Sequence, residues 1–265
     1  MLRFSVGMTL SADGVESILR PAVAMTMLAW LAATWAIYLL NGVADIVEDR
    51  ENASTRPIAS GRLPADVAVR VVEALATFAL VVAAAVSLRL LVLVTLMLTV
   101  GWAYSAGPYP LKRNMAGFLL SVTALGLLTY LAGWCAVGTG MPNGSLLLFG
   151  VAMSTWMGTV GSTKDLSDVK GDRVAGRKTP PLVLGESRAR VVIAVLAGAV
   201  GCSFLALAIT WNERLLPAAA VVCAGAVAIA AAVLTPFSHG DKPRRRRPYR
   251  IFMITQYGAH AILLL

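Results

Sequence analysis

Apolar runs of about 20 residues recur along this chain, and no other feature constrains its fold so strongly. That is the length of helix needed to cross a hydrocarbon core about 30 Å thick. Segments 21–46, 65–88, 90–108, 115–137, 145–163, 191–211 and 215–237 have this character. Segment 251–265 is shorter. Segment 1–19 is interrupted by Asp13 and Glu16 and is read as a first helix that is shortened or lies in the interface. It lacks the continuous apolar stretch of a secretory signal. With no water to satisfy the backbone in lipid, such runs must be helices. The composition agrees, with 58% hydrophobic and 14% charged residues and a mean hydropathy of +0.74. The expectation is one all-α, polytopic membrane domain over residues 1–265, with about nine transmembrane helices.

Charge is unevenly shared among the loops. One alternate set holds Arg50, Arg56 and Arg62, then Lys112 and Arg113, then the basic residues of 164–190, then 242–250. The other set holds little beyond Arg20, Arg89 and Arg214. By the positive-inside rule the first set faces the cytoplasm. This also accounts for the net charge of +9 without nucleic acid as a partner. Cys135, Cys202 and Cys223 lie scattered in apolar runs and make neither a zinc site nor a disulfide framework. The composition suggests a multi-pass protein of a bacterial cell membrane, with lipid as its immediate neighbour.

Against this apolar background two acidic segments stand out, at 41–61 and 164–180. Intramembrane and membrane-edge carboxylates are rarely without use. Asn41, Asp45 and Asp49 fall at i, i+4, i+8, and Asp165, Asp168 and Asp172 at i, i+3, i+7. Each set therefore shares one face of a helix. Stacked like charges repel unless a cation sits among them, and oxygen-only ligands suit Mg²⁺. A solvated helix end is the simpler reading of either segment alone. Two with matched flanks argue against it.

The flanks supply the anion half. Asp45 is offset from Asp168 as Asp49 is from Asp172 and Arg50 from Arg173, which reads as a duplicated four-helix unit. Arg56, Arg177 and Lys178 are placed to meet phosphate oxygens. Some of these must be ordinary loop charges; Arg56, within Thr55-Arg56-Pro57, is the favoured one.

Together these residues resemble a known family. Asn41-x₃-Asp45-x₃-Asp49 with Arg56-Pro57 and Gly61, and Lys164-Asp165-x₂-Asp168 with Gly171-Asp172-Arg173 and Lys178-Thr179, are similar to the two signatures of the UbiA superfamily of intramembrane prenyltransferases. Tyr104-Ser105, followed by Pro108 and Lys112-Arg113, is similar to a third segment of that family. The resemblance implies helices in two four-helix pseudo-repeats around a central cavity, capped by the acidic loops and opening to the cytoplasm. It implies that Asn41, Asp45 and Asp49 hold one Mg²⁺, and Asp165, Asp168 and Asp172 another. Arg56, Lys112 and Lys178 would neutralise the diphosphate of an isoprenoid donor, and Tyr104 would orient it or steady the allylic cation. Asp45, Asp49, Asp168, Asp172 and Tyr104 are thus the expected catalytic set.

The expected reaction is transfer of a prenyl chain from its diphosphate to a hydrophobic or aromatic acceptor. The alternative is a terpene cyclase of the same fold, which needs no acceptor. A transporter fits poorly, because the carboxylates lie at span ends. The basic run 244–247 reads as an orientation and headgroup signal, and His239 and His260 as structural.

Overall fold

The computed structural model describes residues 1–138 and 140–265. Among them every regular element is helical. In chain order these are α1 (Leu2–Thr9), α2 (Val15–Ile18), α3 (Pro21–Ala44), α4 (Ile46–Glu51), α5 (Ala65–Val86), α6 (Leu88–Ser105), α7 (Met115–Val137), α8 (Gly144–Val160), α9 (Asp165–Val174), α10 (Pro180–Leu184), α11 (Glu186–Trp211), α12 (Leu216–Leu234), α13 (Lys242–Arg245) and α14 (Arg247–Ala261), joined in places by short 3-10 turns.

Seven helical stretches among the described residues are long and apolar enough to cross a membrane. Their outward faces expose side chains such as Leu120 at 68%, Val195 at 64% and Val227 at 67%. Such faces suit lipid and would be costly in water. The chain is thus an all-helical, multi-pass integral membrane protein.

The boundaries differ from the sequence reading in two places. α5 and α6 are separated by Ser87 alone, whose extended backbone (φ −168°, ψ 153°) breaks the helix and whose Oγ accepts from Leu90 N at 3.1 Å. Segment 164–180 is mostly helix, since α9 continues from α8 through a 3-10 turn. The first helix is short: α1 has 8 residues. It is held by close backbone approach. A Cβ on Gly7 would lie 2.3 Å from Tyr130 O on α7, and one on Gly133 would lie 2.1 Å from Phe4 O. Small residues permit such packing where lipid gives no hydrophobic drive between helices.

The core divides into two clusters. One gathers Trp30, Ala79, Leu90 and Met97 from α3, α5 and α6, with Phe4 of α1 and Ala132 of α7. The other gathers Phe149, Trp156, Phe204, Val222 and Phe252 from α8, α11, α12 and α14, with Tyr130 of α7. α7 and α1 belong to both and join the halves. Buried Arg190 ties the start of α11 to the end of α12, donating to Ser238 Oγ at 2.6 Å and Ser238 O at 3.0 Å. His260 lies in the second half, with Nε2 2.5 Å from Tyr130 Oη and Nδ1 2.6 Å from Gln256 O. These bonds fix its ring between helices, the structural place expected for it.

Candidate active site

Both acidic segments arrive at the same end of the bundle. The backbone turns at Asp45 (φ −97°, ψ 9°) between α3 and α4. The helical ladder runs through the turn: Asp45 N donates to Asn41 O at 2.9 Å, and Asp49 N donates to Asp45 O at 2.8 Å. Asn41, Asp45 and Asp49 therefore keep their stacking. Asp165, Asp168 and Asp172 line α9, at 9%, 6% and 4% exposure. α4 and α9 lie against one another. Asn52, just past α4, seals the join by accepting from Gly171 N at 3.2 Å.

Two cations occupy the middle. Lys112, on the turn before α7, touches Asp45 Oδ1, with Nζ 4.0 Å from Glu48 Oε1. Arg177, past α9, lies 3.3 Å from Asp45 Oδ1, touches Glu48 Oε1, and brings Nε to 3.9 Å from Asp172 Oδ1. Burial pushes the Glu48 carboxyl up to about 8, with its hydrogen bond to Asp45 adding to the effect. At Asp45 burial also pushes upward, but the hydrogen bond from Glu48 and the charges of Lys112 and Arg177 outweigh it and hold the carboxyl below its ordinary value. Glu48 therefore keeps the proton and Asp45 the charge. Burial weakens the Arg177 guanidinium as an ion, yet the same carboxylates hold it above its ordinary range.

The rim is also paired. Arg56 Nη1 is 3.0 Å from Asp49 Oδ2. Lys164 and Arg246 approach Asp168 at 3.4 and 3.5 Å. Lys178 donates its backbone N–H to Arg113 O at 2.7 Å, and its side chain is exposed. Of the anticipated residues, Asp45, Lys112 and Asp172 thus share the Arg177 centre, whereas Asp49, Arg56 and Lys178 stand outward. Glu48 and Arg246 did not enter the sequence-derived site, and Arg177 entered it as one of three phosphate-contact candidates with Arg56 favoured. Glu48 was visible one helical turn from Asp45. Arg246 was hidden among basic residues explained by membrane orientation.

Below this cluster lies a cavity of about 450 Å³. Asn41, Tyr104, Ser105 and Lys164 line it towards the acidic segments, Trp30, Met97, Leu125 and Phe252 supply apolar wall, and Arg3, Gln256 and His260 add polar groups from α1 and α14. Asn41 Nδ2 donates to Ser105 Oγ at 3.3 Å, joining α3 to α6 at the cavity mouth. The volume is that of a pocket for a mostly apolar ligand.

Among the described residues no three of His, Cys, Asp and Glu converge closely enough to hold an ion as they stand. The α3–α4 carboxylates are turned to Lys112, Arg177 and Arg56. On α9, however, Asp172 Oδ2 is buried with no hydrogen-bond partner. An orphaned buried carboxylate oxygen calls for a counter-charge, and the all-oxygen set is the type Mg²⁺ takes.

Known proteins are similar to this chain in sequence and in fold. The chain is 31% identical over 68% of its length to the polyprenyl transferase eriF of Hericium erinaceus, covering 62% of that protein. It is 28% identical over 69% of its length to the diterpene cyclase eriG of the same fungus, covering 58%. It is 27% identical over 72% of its length to the digeranylgeranylglyceryl phosphate synthase of Pyrococcus abyssi, covering 66%. The chain thus spans about three fifths of the length of the first two of these relatives. In fold it is similar to the UbiA homolog from Archaeoglobus fulgidus bound to GPP and Mg²⁺, with a TM-score of 0.68, 15% identity, and coverage of 100% of this chain and 94% of the other. The model of the UbiA prenyltransferase family matches residues 1–254, both acidic segments and the helices between them included, and the chain belongs to that family.

Proposed function

We propose that this chain is a Mg²⁺-dependent prenyltransferase that moves an isoprenoid group from its diphosphate to an acceptor. One observation carries the reading: α4 and α9 set their carboxylates around buried Lys112 and Arg177, next to the residues Asn41 and Lys164 that line an apolar cavity. Placed cations and carboxylates suit a diphosphate head, and the cavity suits its tail.

In this reading Asn41, Asp45 and Asp49 on one side, and Asp165, Asp168 and Asp172 on the other, hold Mg²⁺. The ion supplies Lewis-acid stabilisation of charge on the departing diphosphate. Lys112 and Arg177, with Arg56 and Lys178 at the rim, donate to the remaining phosphate oxygens. Their placement before substrate arrives lowers the reorganisation needed as charge develops. Tyr104 stands at the cavity end nearest the cluster, where the allylic carbon would lie. The apolar walls keep water from the cation until the acceptor attacks. The head enters from the cytoplasm, the side on which basic loops accumulate.

Ring closure within the donor is a second reading, favoured by the likeness to the diterpene cyclase. Incubating the purified protein with prenyl diphosphates and Mg²⁺ separates the two. Diphosphate release only after an acceptor is added supports transfer. A cyclic hydrocarbon formed without acceptor supports cyclisation, and neither product under any condition rejects both.

A further inference from the structure

The loop between α12 and α14 lies across both acidic segments. Lys242, which opens α13, donates to Asn52 O, just past α4, at 2.5 Å. Arg246, which follows α13, brings Nη1 to 3.5 Å from Asp168 Oδ1 on α9. Its guanidinium also lies over the Tyr249 ring, 5.4 Å from the centroid, and Tyr249 lines the large cavity. Arg246 thus stands where the acidic face of α9 meets the cavity wall. The neighbours of Arg246 are committed elsewhere. Arg245 pairs with Glu186 at 3.1 Å, and Arg247 donates to Phe237 O at 2.8 Å and covers the Phe237 ring. Buried Arg190 pins the base of the loop through Ser238.

Arg246 itself is loosely held. Among the described residues Asp168 is its one carboxylate partner, and its side chain is 38% exposed. An ion pair so open to solvent contributes little. Asp168 does not depend on it either, since Oδ1 accepts from Ser167 Oγ at 2.8 Å and Oδ2 faces Lys164 Nζ at 3.4 Å. We infer that Arg246 is a further anion-binding residue of the site, kept on Asp168 in the absence of ligand, and that it turns to a diphosphate oxygen once Asp168 is committed to a divalent cation. This rests on the prenyl diphosphate reading above. Asp168 neutralised by such an ion no longer attracts a guanidinium, whereas the planar fork of Arg246 matches phosphate oxygens. The loop that carries Arg246 then covers the head from the α14 side, as a third segment beside the two acidic ones.

The test titrates the full chain, in detergent micelles with Mg²⁺, with two probes: unreactive geranyl thiodiphosphate and inorganic diphosphate. Arg246→Gln is expected to weaken both by the same factor, about tenfold, the scale of one charge-assisted bond. Arg246→Lys should recover part of that loss. Arg244→Gln makes the same charge change at an exposed position of the loop and should leave both affinities as they are. Unaltered thermal midpoints show that the variants fold. Trypsin gives a second readout, because it cuts after Arg244 and Arg245 but not after Lys242 or Arg247, which precede proline. Cleavage requires the loop to open locally, so geranyl thiodiphosphate with Mg²⁺ should slow it about fivefold in the wild type and not in Arg246→Gln. Unchanged affinity in Arg246→Gln, an equal loss in Arg244→Gln, a loss confined to the geranyl probe, or equal protection of wild type and Arg246→Gln would overturn the assignment. Failure of the wild type to bind either probe would instead reject the prenyl diphosphate reading.

Discussion

Asn52 Oδ1 accepts the Gly171 N–H at 3.2 Å, and a Cβ placed on Gly171 would come within 2.1 Å of Asn52 Nδ2. The two acidic helices are therefore spaced by a residue that has no side chain. Gly171→Ala is predicted to force the Asn52 amide aside and break its bond to Gly171 N, lowering diphosphate release about as much as Asn52→Ala does. Asn52→Ala removes the obstruction along with the bond. The double variant should then be less impaired than the product of the two single effects. Strict additivity, measured as rates of diphosphate release, would contradict this account of the join.

The carboxylates make a sharper test. Asp45→Ala, Asp49→Ala, Asp168→Ala and Asp172→Ala are each expected to slow turnover by roughly 10²-fold or more, the scale of losing one electrostatic stabiliser. Excess chelator should abolish activity and added Mg²⁺ restore it. Asp66→Ala is the control, because Asp66 pairs only with exposed Arg70 at 2.9 Å. Asp13→Ala is a second. Equal damage from the controls would show the site to lie elsewhere.

Glu48 gives the pH dependence. Burial pushes its carboxyl up to about 8, so at neutral pH without metal it carries a proton. Above that value the cluster gains a negative charge; below it the charge is lost. Cation binding is therefore predicted to release a proton, and apparent Mg²⁺ affinity to rise with pH up to about 8 and then level. Calorimetric titration at several pH values, in buffers of different ionisation enthalpy, measures both quantities. Glu48→Gln should reduce the proton release and weaken the pH dependence, and an unchanged profile in that variant would remove Glu48 from the linkage.

The glycine contact between α1 and α7 predicts a stability effect. Gly133→Ala places a methyl 2.1 Å from Phe4 O, against backbone that cannot swing away. The cost expected for overpacking is about 1–3 kcal/mol. It should appear as a lower thermal midpoint in detergent and faster proteolysis near the N-terminus. A midpoint equal to the wild type would mean that α1 is not fastened there.

Sidedness follows from the convergence of basic loops at one end. In a background with Cys135, Cys202 and Cys223 replaced, Ser54→Cys and Ala175→Cys should react with an impermeant thiol reagent from the cytoplasm. Met141→Cys should react from the other side; Met141 is 87% exposed. Asn143 is unsuitable for this, since its side chain accepts from Leu146 N at 2.9 Å and donates to Leu10 O at 2.7 Å. Labelling of positions 54 and 175 from opposite faces would refute a shared site.

The spans and the acidic faces were legible because both rest on local periodicity. Apolar runs and the i, i+4 spacing of Asn41, Asp45 and Asp49 survive in the fold almost unchanged. What could not be read was decided by contacts across the chain. Arg177 looked equivalent to Arg56 in sequence, yet Arg177 is drawn to Asp45 and Glu48 while Arg56 stays at the rim, 47% exposed. The seating of α1 on α7 depends on Gly7 and Gly133 each lying against the other helix's backbone, a relation between residues far apart. A cavity of about 180 Å³ lies where α7, α8, α10 and α11 meet, which no single segment encodes.

The pairing of Asp45 has an order in time. Lys112 follows it by 67 positions and Arg177 by 132. As the chain is synthesised, α3 and α4 emerge with these acids uncovered. Lys112 arrives when the first half is nearly finished, and Arg177 only after α9 has been made. The last cation to be built is also the one that reaches acids of both halves. Closure of the bundle is thus latched by its late-made part. A chain halted before residue 177 would leave the Asp45–Glu48 pair at the membrane edge with one cation in place of two.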